Sequence, residues 1–221
     1  MVSGQPDHFV MKQLFLLSGL GADKRVFEFL DLRGYTLHHV VWVKPSPHET
    51  LTEYASRLLP QITQPSPVLV GVSFGGMVAL EIGRLIPVER IILISSAISP
   101  RAIPAYFKFM TKLNIQKLVS DTALKRPNEV LYWLFGITRK EHKSLLAAIM
   151  DDTDATFFRW AVESIMVWKG ETILTKVTQI HGTKDRILNF HSADYAVSGG
   201  GHLIVITNAA EVSSIIKQVL E

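Results

Sequence analysis

Pro67-Val68-Leu69-Val70-Gly71-Val72-Ser73-Phe74-Gly75-Gly76-Met77-Val78-Ala79-Leu80-Glu81-Ile82 runs from a short apolar segment, through a serine between glycines, into a helix-period stretch. The centre has the form Gly-x-Ser-x-Gly. By composition alone that pattern turns up by chance in roughly one chain of this length in ten or twenty, so its setting decides. A buried strand before it and a helix after it are the setting in which a sharp turn holds a serine exposed and strained, with glycines leaving room for neighbouring backbone. Ser73 would also sit at a helix N-terminus, where developing negative charge is favoured. We read Ser73 as a nucleophile.

Outward from this turn, apolar runs alternate with helical periodicity. Gln13 to Leu17, Leu37 to Val43, Val68 to Val72, Arg90 to Ser95, Lys176 to His181 and Asp194 to Ser198 read as strands. Helices are expected over Leu51 to Ile62, with Thr50 and Glu53 at capping-box spacing, over Gly76 to Leu85, and over Ala209 to Leu220. Continuous apolar strands joined by helices predict an α/β fold: one mostly parallel central sheet of about six strands, covered on both faces. One domain over residues 1–221 is expected.

The stretch from about Ser99 to Gly170 differs in texture. It carries helical periodicity and the aromatics Phe107, Phe109, Trp133, Phe135, Phe157, Phe158, Trp160 and Trp168. It reads equally as a helical insertion over one edge of the sheet or as further helices packed on the core.

The bulk composition narrows the function. The chain has 221 residues, 48% hydrophobic and 19% charged, with a formal charge of +3. Lys and Arg are spread without a long run, which argues against nucleic-acid binding. No cysteine is present, which removes thiolate catalysis and disulfides. Met1 to Lys12 lack a secretory pattern, and the apolar stretch Val68 to Ile86 carries Glu81, Arg84 and several glycines, unlike a membrane span. A cytoplasmic protein with a small-molecule substrate is the expectation, and the oligomeric state stays open. There is no His-Glu-x-x-His, and Gly71 to Gly76 lacks a phosphate-loop ending, so neither metal nor organic cofactor is expected.

A serine needs a base to take its proton, and the imidazole needs a carboxylate to set its tautomer. Of eight histidines, His202 follows Gly199-Gly200-Gly201 directly after the last short strand, in a backbone free to bring a ring into a site. His181 ends a strand, but its neighbour Gly182 gives it a turn role. Asp185 lies just past that strand, at the sheet end where open α/β folds collect ligand-binding groups. Asp194 is a weaker rival because it precedes a strand. The Ser96 to Pro100 loop offers no carboxylate, and Asp151, Asp152 and Asp154 read as a solvated helix end. For the oxyanion, Phe74 N–H is one donor and Leu20 N–H, in Ser18-Gly19-Leu20-Gly21, is the choice for the second. That loop also reads as a plain strand-to-helix turn.

Together, Ser18 to Gly21, Gly71 to Gly76, His181-Gly182-Thr183-Lys184-Asp185 and Gly200-Gly201-His202 resemble the α/β-hydrolase superfamily, in its order of serine, acid and histidine. The resemblance spans nearly all of the chain after residue 12. It implies an esterase-like enzyme with a helical cap at about 99–170, working through an acyl-enzyme. Serine at the elbow argues against the dehalogenase and epoxide-hydrolase members, which carry aspartate there. Ser18 stands where the family often has histidine. The 185 to 202 segment is short enough to reduce a helix to a turn, and the family's first two antiparallel strands should be missing or vestigial. The triad itself also suits a thioesterase, carbon–carbon hydrolase, lyase or acyltransferase, or a binding protein that turns over little.

Overall fold

The computed structural model describes residues 11–104, 120–121, 126–170 and 175–221. Six strands form one sheet: β1 (Gln13–Leu17), β2 (Thr36–His39), β3 (Val68–Val72), β4 (Arg90–Ile94), β5 (Val177–Gly182) and β6 (Tyr195–Val197). Their order is β2-β1-β3-β4-β5-β6, and every pairing is parallel. Parallel order places all the strand C-termini along one rim, and the crossover helices bury both faces. All five residues of β3 are buried, as are the last four of β1 and of β4, whereas edge strand β2 is buried nowhere.

On one face, α1 (Leu51–Leu58) and α2 (Phe74–Leu85) cover Phe15, Leu17, Leu69, Ile91 and Leu93. On the other, the C-terminal segment packs on Leu14, Leu16, Val70, Ile92, Ile94 and Ile180 through Ile204, Val212 and Ile216. Helix α1 begins with the expected capping box, in which Thr50 Oγ1 accepts from Glu53 N and Glu53 Oε2 accepts from Thr50 N.

Between β4 and β5 lie α3 (Glu129–Phe135), α4 (Lys140–Asp152) and α5 (Ala155–Val167). They straddle the two cores. Leu146 and Ile149 of α4 join one, and Phe157 and Ala161 of α5 join the other, beside Trp168. The short α6 (Ile204–Thr207) and α7 (Ala209–Leu220) close the chain. Among the described residues, no helix is long and apolar enough to cross a membrane.

Most expected elements fall within a residue or two of their expected bounds, and β1, β3 and α7 coincide with them. Two differ more: α1 ends at Leu58 and passes into a 3-10 turn, Leu59–Gln61, rather than running to Ile62, and the second strand stops at His39 rather than Val43. Edge strand β2 has one neighbour, and β1 ends at Leu17. Beyond Val40, whose N–H still reaches Leu16 O, side chains take over the backbone groups. Gln61 bonds Val41 N and O, and the Tyr54 hydroxyl bonds Val43 N and O.

Candidate active site

The β3–α2 junction holds Ser73 at φ 51° and ψ −118°. A non-glycine residue at positive φ costs on the order of 1–3 kcal/mol and persists only where its surroundings over-determine it. Here they do. Ser73 N donates to Ile94 O at 2.9 Å, Gly76 N donates to Ser73 O at 3.0 Å, and Ser96 Oγ donates to the same carbonyl at 2.6 Å. The helix start also presses onto the end of β1. A β-carbon at Gly75 would stand 2.3 Å from the carbonyl oxygens of Leu17 and Ser18, so no larger residue fits there. The expected helix start at Gly76 moves to Phe74, because the turn is tighter than the glycine pair implied.

His202 and Asp185 reach this serine from two other loops at the same rim. His202 Nε2 lies 2.9 Å from Ser73 Oγ, and His202 Nδ1 lies 2.8 Å from Asp185 Oδ2. An ionised carboxylate only accepts, so Nδ1–H donates to Asp185 and Nε2 is left to accept from the Ser73 hydroxyl. Asp185 is 6% exposed and His202 2%. Burial pushes the Asp185 carboxyl up. The charge of His202, hydrogen bonds from His181 and His202, and the Leu188 amide outweigh it and hold the group well below the usual carboxylate range. Asp185 is therefore ionised at neutral pH.

Among the described residues, Asp194, His38 and His142 stand elsewhere. Asp194 Oδ2 accepts from Gln179 N at 2.7 Å and so serves the backbone beside β5. His38 stacks on Phe15, and His142 meets the edge of Phe29. His181, read from sequence as a turn residue, reaches Asp185: its Nε2 is 3.1 Å from Oδ2. The signal was present in the i,i+4 spacing from a strand's last residues to the acid just beyond it.

Ser18 Oγ donates to Ala22 O at 2.8 Å, and Ala22 N donates to Gly19 O. This serine hydroxyl closes the loop that carries Leu20 and so gives the departure at that position a local structural role. The loop stands against the elbow, since a β-carbon at Gly19 would be 3.5 Å from Ser73 Cβ.

A cavity of about 100 Å³ opens on Ser73 and His202, with Leu20, Leu131, Phe135, Leu146, Met150 and Phe158 in its wall. Two of the expected insertion aromatics, Phe135 and Phe158, line it. Others are core: Phe157 and Trp160 pack with Tyr54 and Phe74. Trp168 Nε1 donates to buried Glu81, while Trp133 is exposed. Phe107, Phe109 and Met110 lie outside the described residues. Among the described residues, no group of three or more His, Cys, Asp or Glu could hold a metal.

Residues 2–214 match the model of the alpha/beta hydrolase family. The chain belongs to that family. No curated protein matches it at a significant level. Among solved structures, this hydrolase-family chain is similar to a lipase-esterase related protein from Clostridium acetobutylicum, with TM-score 0.72 and 16% identity over 94% of each chain. It is similar to an esterase from Exiguobacterium antarcticum, with TM-score 0.68 and 14% identity over 94% of this chain and 91% of the other. It is also similar to MenH from S. aureus, with TM-score 0.66 and 16% identity over 95% and 93%. At these identities the likeness is one of fold, and the sheet and its flanking helices match it.

Proposed function

We propose that this protein is a serine hydrolase that cleaves small carboxylic esters through an acyl-enzyme. The observation that carries the reading is the unbroken hydrogen-bond chain from Ser73 Oγ through His202 to Asp185. His202 Nε2 takes the serine proton as Oγ attacks the ester carbonyl, and Asp185 steadies the imidazolium that forms. The oxyanion meets the N–H groups of Phe74 and Leu20, each worth about 3–4 kcal/mol in comparable sites. His202 returns the proton to the leaving alcohol, then activates the water that releases the acid.

The apolar cavity beside Ser73 supports a short acyl group. A cavity of about 150 Å³ takes benzene, so the about 100 Å³ available here suits an acyl chain of roughly three or four carbons. In this reading residues 1–221 are one domain, and the insertion at about 99–170 is its cap.

A fluorophosphonate probe should label the protein, and Ser73→Ala should lose the label while keeping its circular dichroism. Turnover of p-nitrophenyl esters should peak at short acyl chains; a response flat across chain length would count against a size-limited pocket. A second reading keeps the same triad for elimination or acyl transfer, since a fold does not set a chemistry. Product analysis with and without an added alcohol or thiol acceptor separates hydrolysis from transfer.

A further inference from the structure

Asp185 Oδ2 is shared by two imidazoles. His202 Nδ1 meets it at 2.8 Å, and His181 Nε2 meets it at 3.1 Å while also lying 2.8 Å from the carbonyl oxygen of Leu188. Both neighbours of His181 Nε2 can only accept, so that nitrogen carries a proton. The other ring nitrogen, Nδ1, is buried and has no hydrogen-bond partner among the described residues. A proton placed there would be a desolvated donor with nothing to meet, which favours the tautomer with the proton on Nε2. The side chain is 4% exposed, and the ring of Phe190 packs against it.

We propose that His181 is a positioning residue for the acid–base pair, fixing the Asp185 carboxylate in the orientation that serves His202. The proposal rests on the triad reading above. A carboxylate offers about four lone-pair sites. Oδ1 of Asp185 accepts from the amides of Ile187 and Leu188 at 2.8 and 3.0 Å, and Oδ2 lies 3.1 Å from His181 Nε2, whose proton is shared with Leu188 O, all within residues 181–188. The two amides and the shared His181 proton hold the carboxyl against rotation and leave Oδ2 turned to His202. The bond from His181 to Leu188 O also braces the turn that carries Asp185.

The test combines two variants with one measurement on the unaltered protein. In His181→Leu, which keeps bulk and removes the donor, kcat on a short p-nitrophenyl ester should fall roughly tenfold to a hundredfold, as expected for one lost hydrogen bond to a charge. KM should stay within roughly threefold, because the group never touches substrate. His181→Gln, which restores an N–H at similar reach, should recover most of that loss. A purely structural role predicts lower melting temperatures with kcat per folded molecule unchanged in both variants, and that result overturns the proposal. In the unaltered protein at neutral pH, nitrogen NMR of His181 should show a protonated Nε2 and a bare Nδ1; a ring with its proton on Nδ1 and a bare Nε2 also overturns it. Failure of the triad reading would show separately, as turnover surviving in Ser73→Ala, and the NMR result does not depend on turnover.

Discussion

Gly136 sits against Gly201 so closely that a β-carbon at position 136 would stand 2.8 Å from the Cα of Gly201, the residue before His202. Gly136 ends α3 with φ 73°, the left-handed conformation that closes many helices. Around this contact the helix is joined to both loops of the site. Leu203 N donates to Phe135 O at 3.3 Å, and the Phe135 ring lies 5.6 Å from that of His202. From the acid's side, Arg186 donates to Trp133 O at 2.8 Å and lies over the Trp133 ring. Leu131 and Phe135, on this same helix, line the cavity beside Ser73. One wall of the cavity and the base are thus positioned by shared contacts.

Gly136→Ala should therefore damage activity as well as stability. The left-handed backbone alone should cost about 1–2 kcal/mol, and the added methyl must push α3 away from Gly201. Urea denaturation should show the stability loss, and kcat measured on the folded variant should drop along with it. A variant that is destabilised yet turns over normally would mean that the helix and the His202 loop are not coupled.

Asp185→Asn should lower kcat by about 10⁴ with KM little changed, because an amide cannot hold His202 in the Nδ1–H tautomer. Steady-state kinetics on the purified variant decide this. Near-normal turnover would point to another acid.

The same residue sets an acid limit to stability. Its folded pKa is depressed, so its contribution is fully present above the unfolded carboxyl value of about 3.9 and drains away as pH falls below it. Acid unfolding followed by circular dichroism should be steep below pH about 4. In Asp185→Asn the dependence there should be shallower, by up to about 1.4 kcal/mol per pH unit. Equal slopes in the two proteins would remove Asp185 from the balance.

Met150 lines the cavity and is only partly buried in the surrounding cluster. Met150→Ala should lengthen the preferred acyl chain by roughly two carbons, since each carbon added to the ligand occupies space the thioether vacates. The measurement is kcat/KM across straight-chain p-nitrophenyl esters. An unchanged optimum would place the chain elsewhere.

Trp168 leaves α5 and donates its indole N–H to Glu81 Oε1 on α2, where Thr52 and Arg84 also bond the same fully buried carboxylate. Trp168→Phe removes one donor from a buried charge and should cost about 1.5–3 kcal/mol in urea denaturation. A change below the error of the method would mean that Thr52 and Arg84 suffice.

Local pattern determined much of this protein. Short continuous apolar runs marked every strand of the sheet, the 3.6 periodicity marked the helices between them, and the glycines around Ser73 and His202 flagged turns that only a tight backbone can make. Those signals are carried by residues within a few positions of one another, so they survive without knowledge of the fold. The end of β2 was not legible, because Gln61 and Tyr54, the side chains that replace its ladder, come from the following helix and the turn after it.

Tertiary structure alone decided what lies across the rim. Ser73 and His202 are 129 positions apart in sequence, and their 2.9 Å contact exists because parallel order brings the ends of β3, β5 and β6 to one side. Which insertion aromatics face the cavity, and that a second imidazole lies against Asp185, likewise depend on packing, where a side chain's environment is set by neighbours that its own stretch of sequence does not contain.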